Sequence, residues 1–153
     1  MANIVFNIAK GRVKELYSRV KSNDPTNSAL VLVPIETSGL EADSVLIDKD
    51  DLAAFLSGTT NEQTTMGRKV LTDADLAALS APDDTNDRNE CDLPTVTWTA
   101  AGGNAISKIL VGFDSDTTSG TDSSIVPLAL FDFAQTPSGA DIQMTSGPFF
   151  RAA

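Results

Sequence analysis

Two acidic stretches and one tryptophan are the residues here whose types and spacing could do chemistry. Asp114, Asp116 and Asp122 lie in DSDTTSGTDSS, residues 114–124, among serine and threonine oxygens. Closely spaced carboxylates of this kind can bind Ca²⁺. The segment lacks the third ligand, glycine and closing glutamate of an EF-hand loop, and its residues are those of a solvated β-turn. The second stretch holds Asp83, Asp84, Asp87, Glu90 and Asp92, with Arg88 among them. Two carboxylates can hydrolyse a glycoside when they are buried at a fixed separation. These stand among Thr and Asn, as in a solvated connector, where an ion pair to Arg88 contributes little. Trp98 could stack on a sugar from a threonine-flanked face, but it alternates with Val96 and Ala100, the pattern of a core anchor.

The rest of the catalytic inventory is thin. The chain has no histidine and one cysteine, Cys91. Triads that use histidine are therefore excluded. Cys91 sits between Glu90 and Asp92, whose carboxylates disfavour a thiolate, and it has no histidine base. Gly102-Gly103 is followed by Asn-Ala, not by the Lys-Ser/Thr pair of a phosphate-binding loop. Nothing in the sequence marks a Ser–Lys pair. These readings predict no catalytic residues, no cofactor and no metal. A single cysteine forms no intrachain disulfide, which fits synthesis in a cytoplasm.

The 153 residues make one domain. Hydrophobic residues make up 41%, enough for a core, but aromatics only 6%, so that core rests on Val, Leu, Ile and Ala. Association with further copies would support so thin a core. The net charge is −10, unevenly placed. Residues 1–21 hold Lys10, Arg12, Lys14, Arg19 and Lys21 against Glu15 alone, a net +4, which leaves −14 on the other residues. An acidic body repels nucleic acid and anionic membranes. Its basic segment either docks on an acidic neighbour, another copy included, or is the solvated face of a helix. No signal peptide is visible, and the longest apolar run, Ala29 to Val33, is far too short to span a bilayer.

The pattern along the chain supplies the elements. Val13, Leu16, Tyr17 and Val20 recur at helical spacing, so residues 1–21 read as an arm carrying an amphipathic helix. Residues 29–82 read as a mixed α/β part. Ala29–Ile35 is a strand buried on both faces, with Pro34 at a sheet edge or bulge. Ser44–Ile47 and Arg68–Leu71 are predicted as strands. Asp48–Ser57 and a segment opened by Thr72-Asp73-Ala74-Asp75 are predicted as short helices, with acidic first turns that suit the helix dipole. Residues 83–92 are predicted as a connector. Residues 94–153 read as β: Val96, Trp98 and Ala100 alternate with threonines, and Ile106–Phe113, Ile125–Phe133, Ile142–Thr145 and Phe149-Phe150 follow. The fold class is a β-rich α+β domain, a compact antiparallel sheet, sandwich or barrel-like body with an N-terminal helical arm and two short helices.

Several segments together resemble small virion structural proteins of tailed bacteriophages. They are NIAKGRVKELYSRVK, ALVLVPIETSGLEAD, DDLAAFLSG, DDTNDR, TWTAAGG, KILVGFDSDTTSGTDSSIVPL and GPFFRA. The likeness covers almost the whole chain and lies in texture and order, not in a catalytic signature. It is a resemblance to head decoration (cement) proteins. It implies a non-enzymatic protein on the outer surface of the virion capsid, bound to the major capsid protein, and a homo-oligomer, with a trimer favoured. A tail or head-fibre component and a glycan-binding module are the alternatives. The expected contact residues are Lys10, Arg12, Lys14, Tyr17, Arg19 and Lys21, with Phe149, Phe150 and Arg151 as an anchor. Ordinary core packing is the equal reading of the two phenylalanines. If residues 1–21 are an arm, deleting them leaves the β body folded and weakens assembly.

Overall fold

Nine strands and four short α-helices form in the computed structural model, which describes residues 4–79 and 81–152. The strands are β1 (Ile4–Val5), β2 (Ala29–Glu36), β3 (Lys69–Leu71), β4 (Asn89–Leu93), β5 (Val96–Trp98), β6 (Ile106–Asp114), β7 (Val126–Gln135), β8 (Ile142–Met144) and β9 (Gly147–Ala152). The helices are α1 (Val13–Lys21), α2 (Asp43–Leu46), α3 (Leu52–Phe55) and α4 (Asp73–Leu76). Five strands make one antiparallel sheet in the order β1-β7-β6-β2-β3. Two antiparallel ribbons, β4–β9 and β5–β8, accompany it. This is the β-rich α+β body that the sequence pattern implies.

The sheet is built outward from β2 and β6. Ala29–Ile35 is buried throughout, as is Lys108–Asp114 of β6, so both faces of this strand pair are covered. Continuous runs of Val, Leu and Ile are what such doubly covered strands require. Pro34 pairs with Ile109, and the register slips at Ile35/Glu36, which places the expected bulge one residue beyond the proline. Among these apolar residues lies Lys108, whose ammonium meets Asp132 at 2.8 Å and Asp43 at 3.2 Å. Burial pulls that ammonium towards neutrality, and the two carboxylates together outweigh burial and raise its pKa. Gly112 is required on β6, because a Cβ there would come within 2.7 Å of the Ile125 methyl group that covers it.

Local signals set the helices. Asp51 caps α3 by accepting the Ala54 amide at 2.7 Å. At the start of α4 the Thr72 amide and hydroxyl both donate to the Asp75 carboxylate, at 2.8 and 3.0 Å. Ser44–Ile47, expected as a strand, instead contributes to the helical turn α2: Leu46 is its one buried side chain, and the amides of Leu46 and Ile47 return to the carbonyls of Ala42 and Asp43. The supposed connector is half strand, since Asn89–Leu93 forms β4.

The segment read as an arm is docked on the body. Val13, Leu16, Tyr17 and Val20 of α1 are all buried in the core. The front and back of the chain also interleave, because the main sheet takes β1, β2 and β3 from one and β6 and β7 from the other. Burial of one aliphatic or aromatic side chain stabilises by roughly 1.5–3 kcal/mol. Four such side chains approach the whole stability of a domain, about 5–15 kcal/mol. Deletion of residues 1–21 is therefore expected to abolish the cooperative unfolding transition in circular dichroism, and a truncated chain that still melts cooperatively would restore the arm. Ala100 has a φ of 48°, a left-handed conformation that disfavours a side chain. Ala100→Gly is expected to raise stability by roughly 0.5–1 kcal/mol, the relief of that strain less the entropy glycine adds to the unfolded chain, as a higher urea midpoint.

Candidate interaction surface

The two sequence-distant sets of expected contact residues meet at one corner of the molecule. The β4–β9 ribbon joins them. Along α1 the Lys14 ammonium donates to the Glu90 carbonyl at 3.4 Å and the Tyr17 hydroxyl to the Asp92 carbonyl at 2.8 Å, while Lys21 reaches the Leu79 carbonyl. From β9, Phe149 sets its ring 6.1 Å from that of Tyr17. Lys14 also lies over the Tyr17 ring, 5.2 Å from its centre, a cation–π contact. Helical spacing puts Lys14 and Tyr17 on adjacent turns, and the pairing of Cys91 with Phe150 brings the last strand to them.

Burial divides the set. Tyr17 is fully buried and Phe149 is 6% exposed, so for these two core packing is the reading the structure gives. Phe150 is half-buried against the core. Lys14 and Lys21 are turned to backbone carbonyls. Lys10, Arg12, Arg19 and Arg151 face outward. Lys10 donates to the Asn7 side chain at 2.6 Å, and Arg12 lies 3.6 Å from Glu15. Arg19 spans Glu15 and Asp24, at 3.9 Å each. Arg151 grips Glu90 at 2.6 Å, and Glu90 in turn lies 3.6 Å from Arg88, which holds Asp83 at 3.0 Å. The ribbon thus carries a chain of alternating charges, Arg151–Glu90–Arg88–Asp83, beside the Tyr17–Phe149 contact.

The acidic residues of the second stretch close a tight turn. Asp83 and Arg88 exchange backbone hydrogen bonds, and Asp83 also accepts from the Asn86 amide. That amide and Arg88 hold the Asp83 carboxyl below its usual range. Asp84, Asp87 and Ala152 line an open depression of about 440 Å³ beside them. The first stretch is likewise tied to itself. Asp114 accepts from the Asp116 amide at 3.0 Å, and Asp116 accepts from the Thr118 amide and hydroxyl. Asp122 turns away to Arg68. Among the described residues no group of three or more His, Cys, Asp or Glu is placed to hold a metal ion. Trp98 is buried, donates to the Gly67 carbonyl at 3.0 Å and packs on Phe133, as a core anchor does.

Two features escaped the sequence pattern. Arg68 is shared between Glu62, at 2.6 Å, and Asp122, also at 2.6 Å. Hydrogen bonds from both raise its pKa, and Arg68 lowers that of Asp122. The second is an apolar cleft of about 350 Å³ between β7 and the β8–β9 segment, lined by Leu93, Phe131, Phe133, Met144 and Phe149 among others. Neither has a local signature, because its members lie far apart in the chain.

The fold and the surface define a small β-rich α+β protein with a charged, aromatic-backed corner. No protein-family model, curated protein or solved structure matches the chain. Among the described residues no helix is long and apolar enough to cross a membrane.

The pH dependence follows from these pairs. The Asp122 carboxyl is lowered from 3.8 by its hydrogen bond to Arg68. Its contribution to stability is complete above that value and is lost as pH falls through the lowered one. Asp122→Asn is expected to make the acid limb of urea-midpoint against pH shallower below about pH 4. The Cys91 thiol is pushed up from 9.0 to about 11, chiefly by burial, so it weakens the fold only as pH rises through that interval. An acid limb unchanged by Asp122→Asn would remove the Arg68 clamp from the stability account.

Proposed function

We propose that this chain is a decoration protein of a tailed-phage head, bound to the outer surface of the assembled shell and to the major capsid protein. It works by adhesion, as a homo-oligomer, and carries out no reaction. The observation that supports this most is the corner where α1 meets the β4–β9 ribbon. Residues 10–21 and 149–151 carry the phage-like texture at opposite ends of the sequence, and here Lys14 and Tyr17 of α1 meet the ribbon that bears Phe149, Phe150 and Arg151. Lys10, Arg12 and Arg19 at or on α1 and Arg151 on β9 are exposed cations, interleaved with Glu15, Asp24 and Glu90, on a molecule whose total is −10. Such a corner attracts an acidic patch on a neighbour. Weak contacts repeated over many copies on a shell sum to strong attachment.

The direct measurement is co-sedimentation of the purified protein with shells assembled from the major capsid protein. Binding is expected at many copies per shell and is expected to weaken as salt is raised, since exposed charges are screened. The double reversal Lys10→Glu/Arg12→Glu should weaken binding by at least ten-fold, about 1.4 kcal/mol. Both side chains make only local contacts, so the melting transition should not move. No sedimentation with shells, or attachment at a handful of copies, would reject decoration, and the second outcome would point to a fibre or tail part.

A further inference from the structure

We propose that β9 is an exchangeable strand, traded between copies of this chain so that the β9 of one pairs with the β4 of another. Three observations lead there. First, β9 is not laddered to the main sheet. Among the described residues its backbone partner is β4, in a ribbon of two strands. Second, the link from β8 to β9 is Thr145-Ser146, both exposed, and the Ser146 amide donates to the exposed Thr95 hydroxyl, at 3.2 Å. Third, the cleft of about 350 Å³ lies along the inner side of β9, between Phe149 and the Phe131 and Phe133 side chains of β7. A close-packed interior would hold the strand with contacts that this gap lacks.

The contacts that do hold β9 are separable and are restored in full by a second copy. They are the ladder from Asn89↔Ala152 to Leu93↔Gly147, the Tyr17–Phe149 ring contact and the Glu90–Arg151 pair. These contacts, like the packing of Phe149 towards β7, form between β9 and residues of α1, β4 or β7 that stay on the body, so a neighbour's β9 satisfies them identically. Exchange of an identical element is a low-cost route to closed oligomers. α1 has further contacts on the body, to β2 and α4, and buries Val13, Leu16 and Val20 as well as Tyr17, so it stays behind when β9 leaves. Two bodies of net charge −10 repel, so the exchanged form should grow with salt as well as with protein concentration. The occupant of the vacated β4 edge is a second copy and not an unrelated peptide, because only this chain brings Phe149 and Arg151 to Tyr17 and Glu90 in one register. The inference concerns copies of the chain in solution and fails or stands apart from shell binding.

The register provides the test. Cys91 lies opposite Phe150, and directly opposed antiparallel residues have Cα atoms about 4.5–5.5 Å apart, within reach of a disulfide. Phe150→Cys therefore gives the protein one pair able to lock β9 to whichever β4 holds it. The variant is incubated over a range of concentration and salt, oxidised with diamide and run on a non-reducing denaturing gel. Covalent dimers or larger closed species, rising at least several-fold from dilute to concentrated samples, are expected. Disulfides formed only within single chains at every concentration overturn the proposal. Should Phe150→Cys not fold, the unaltered protein answers through its own thiol and mass. Cys91 is then expected to react with a thiol reagent under native conditions faster than the chain globally unfolds, and light and isotope-labelled chains are expected to form mixed oligomers in native mass spectrometry. Reaction at the global unfolding rate together with a purely monomeric mass overturns it equally.

Discussion

The need to cover both faces of the β2–β6 pair governs this molecule. These strands carry almost unbroken aliphatic residues, and neither can present a face to water. With so few aromatics, no single side chain is large enough to close a face by itself. The chain answers with many thin covers: α1, the short helices, the loop that brings Ile125 over Gly112, and the aromatic pairs Phe6–Phe55, Tyr17–Phe149 and Trp98–Phe133. Each aromatic pair ties a peripheral element to the body. The covers are thus also the parts that carry surface charge, so surface charge and core formation share the same elements.

This sharing accounts for the mixed character of the corner. Tyr17 faces inward and Arg12 outward from the same helix, and Phe149 and Arg151 divide the same way on β9. A side chain in such a place acts through its neighbours: Lys14 sits over the Tyr17 ring and binds a β4 carbonyl, which fixes helix to ribbon. The exposed charges then have a rigid base, and directed electrostatic contact needs one.

Much of the fold was legible in the residues. Strands with uniform aliphatic character, β2, β6 and β7, stood out because both faces are buried. The period-2 run at Val96–Trp98 and the Thr72 cap spoke locally. The failures have physical causes. Ser44–Ile47 has the composition of a short strand, but its amides close back on Ala42 and Asp43 and only Leu46 is buried, so it forms a helical turn. Periodicity reveals the apolar face of α1 but not what that face touches, so a docked helix reads as an arm. The candidate surface was legible as two lists of residues, and their meeting depends on the pairing of β4 with β9, which no local pattern encodes. The Arg68 clamp was illegible because Asp122 lies 54 residues from Arg68 in the chain.

That clamp has a bearing on heat. Arg68 fastens the segment around Glu62 to the 3-10 turn at Asp122, two stretches made largely of polar residues. Ionic groups lose hydration free energy on warming, so the penalty for pairing them shrinks as temperature climbs. Aliphatic burial gains little over the same interval. The guanidinium bridge consequently grips relatively harder in a hot environment, at the place where polar loops would otherwise be the first to shake loose.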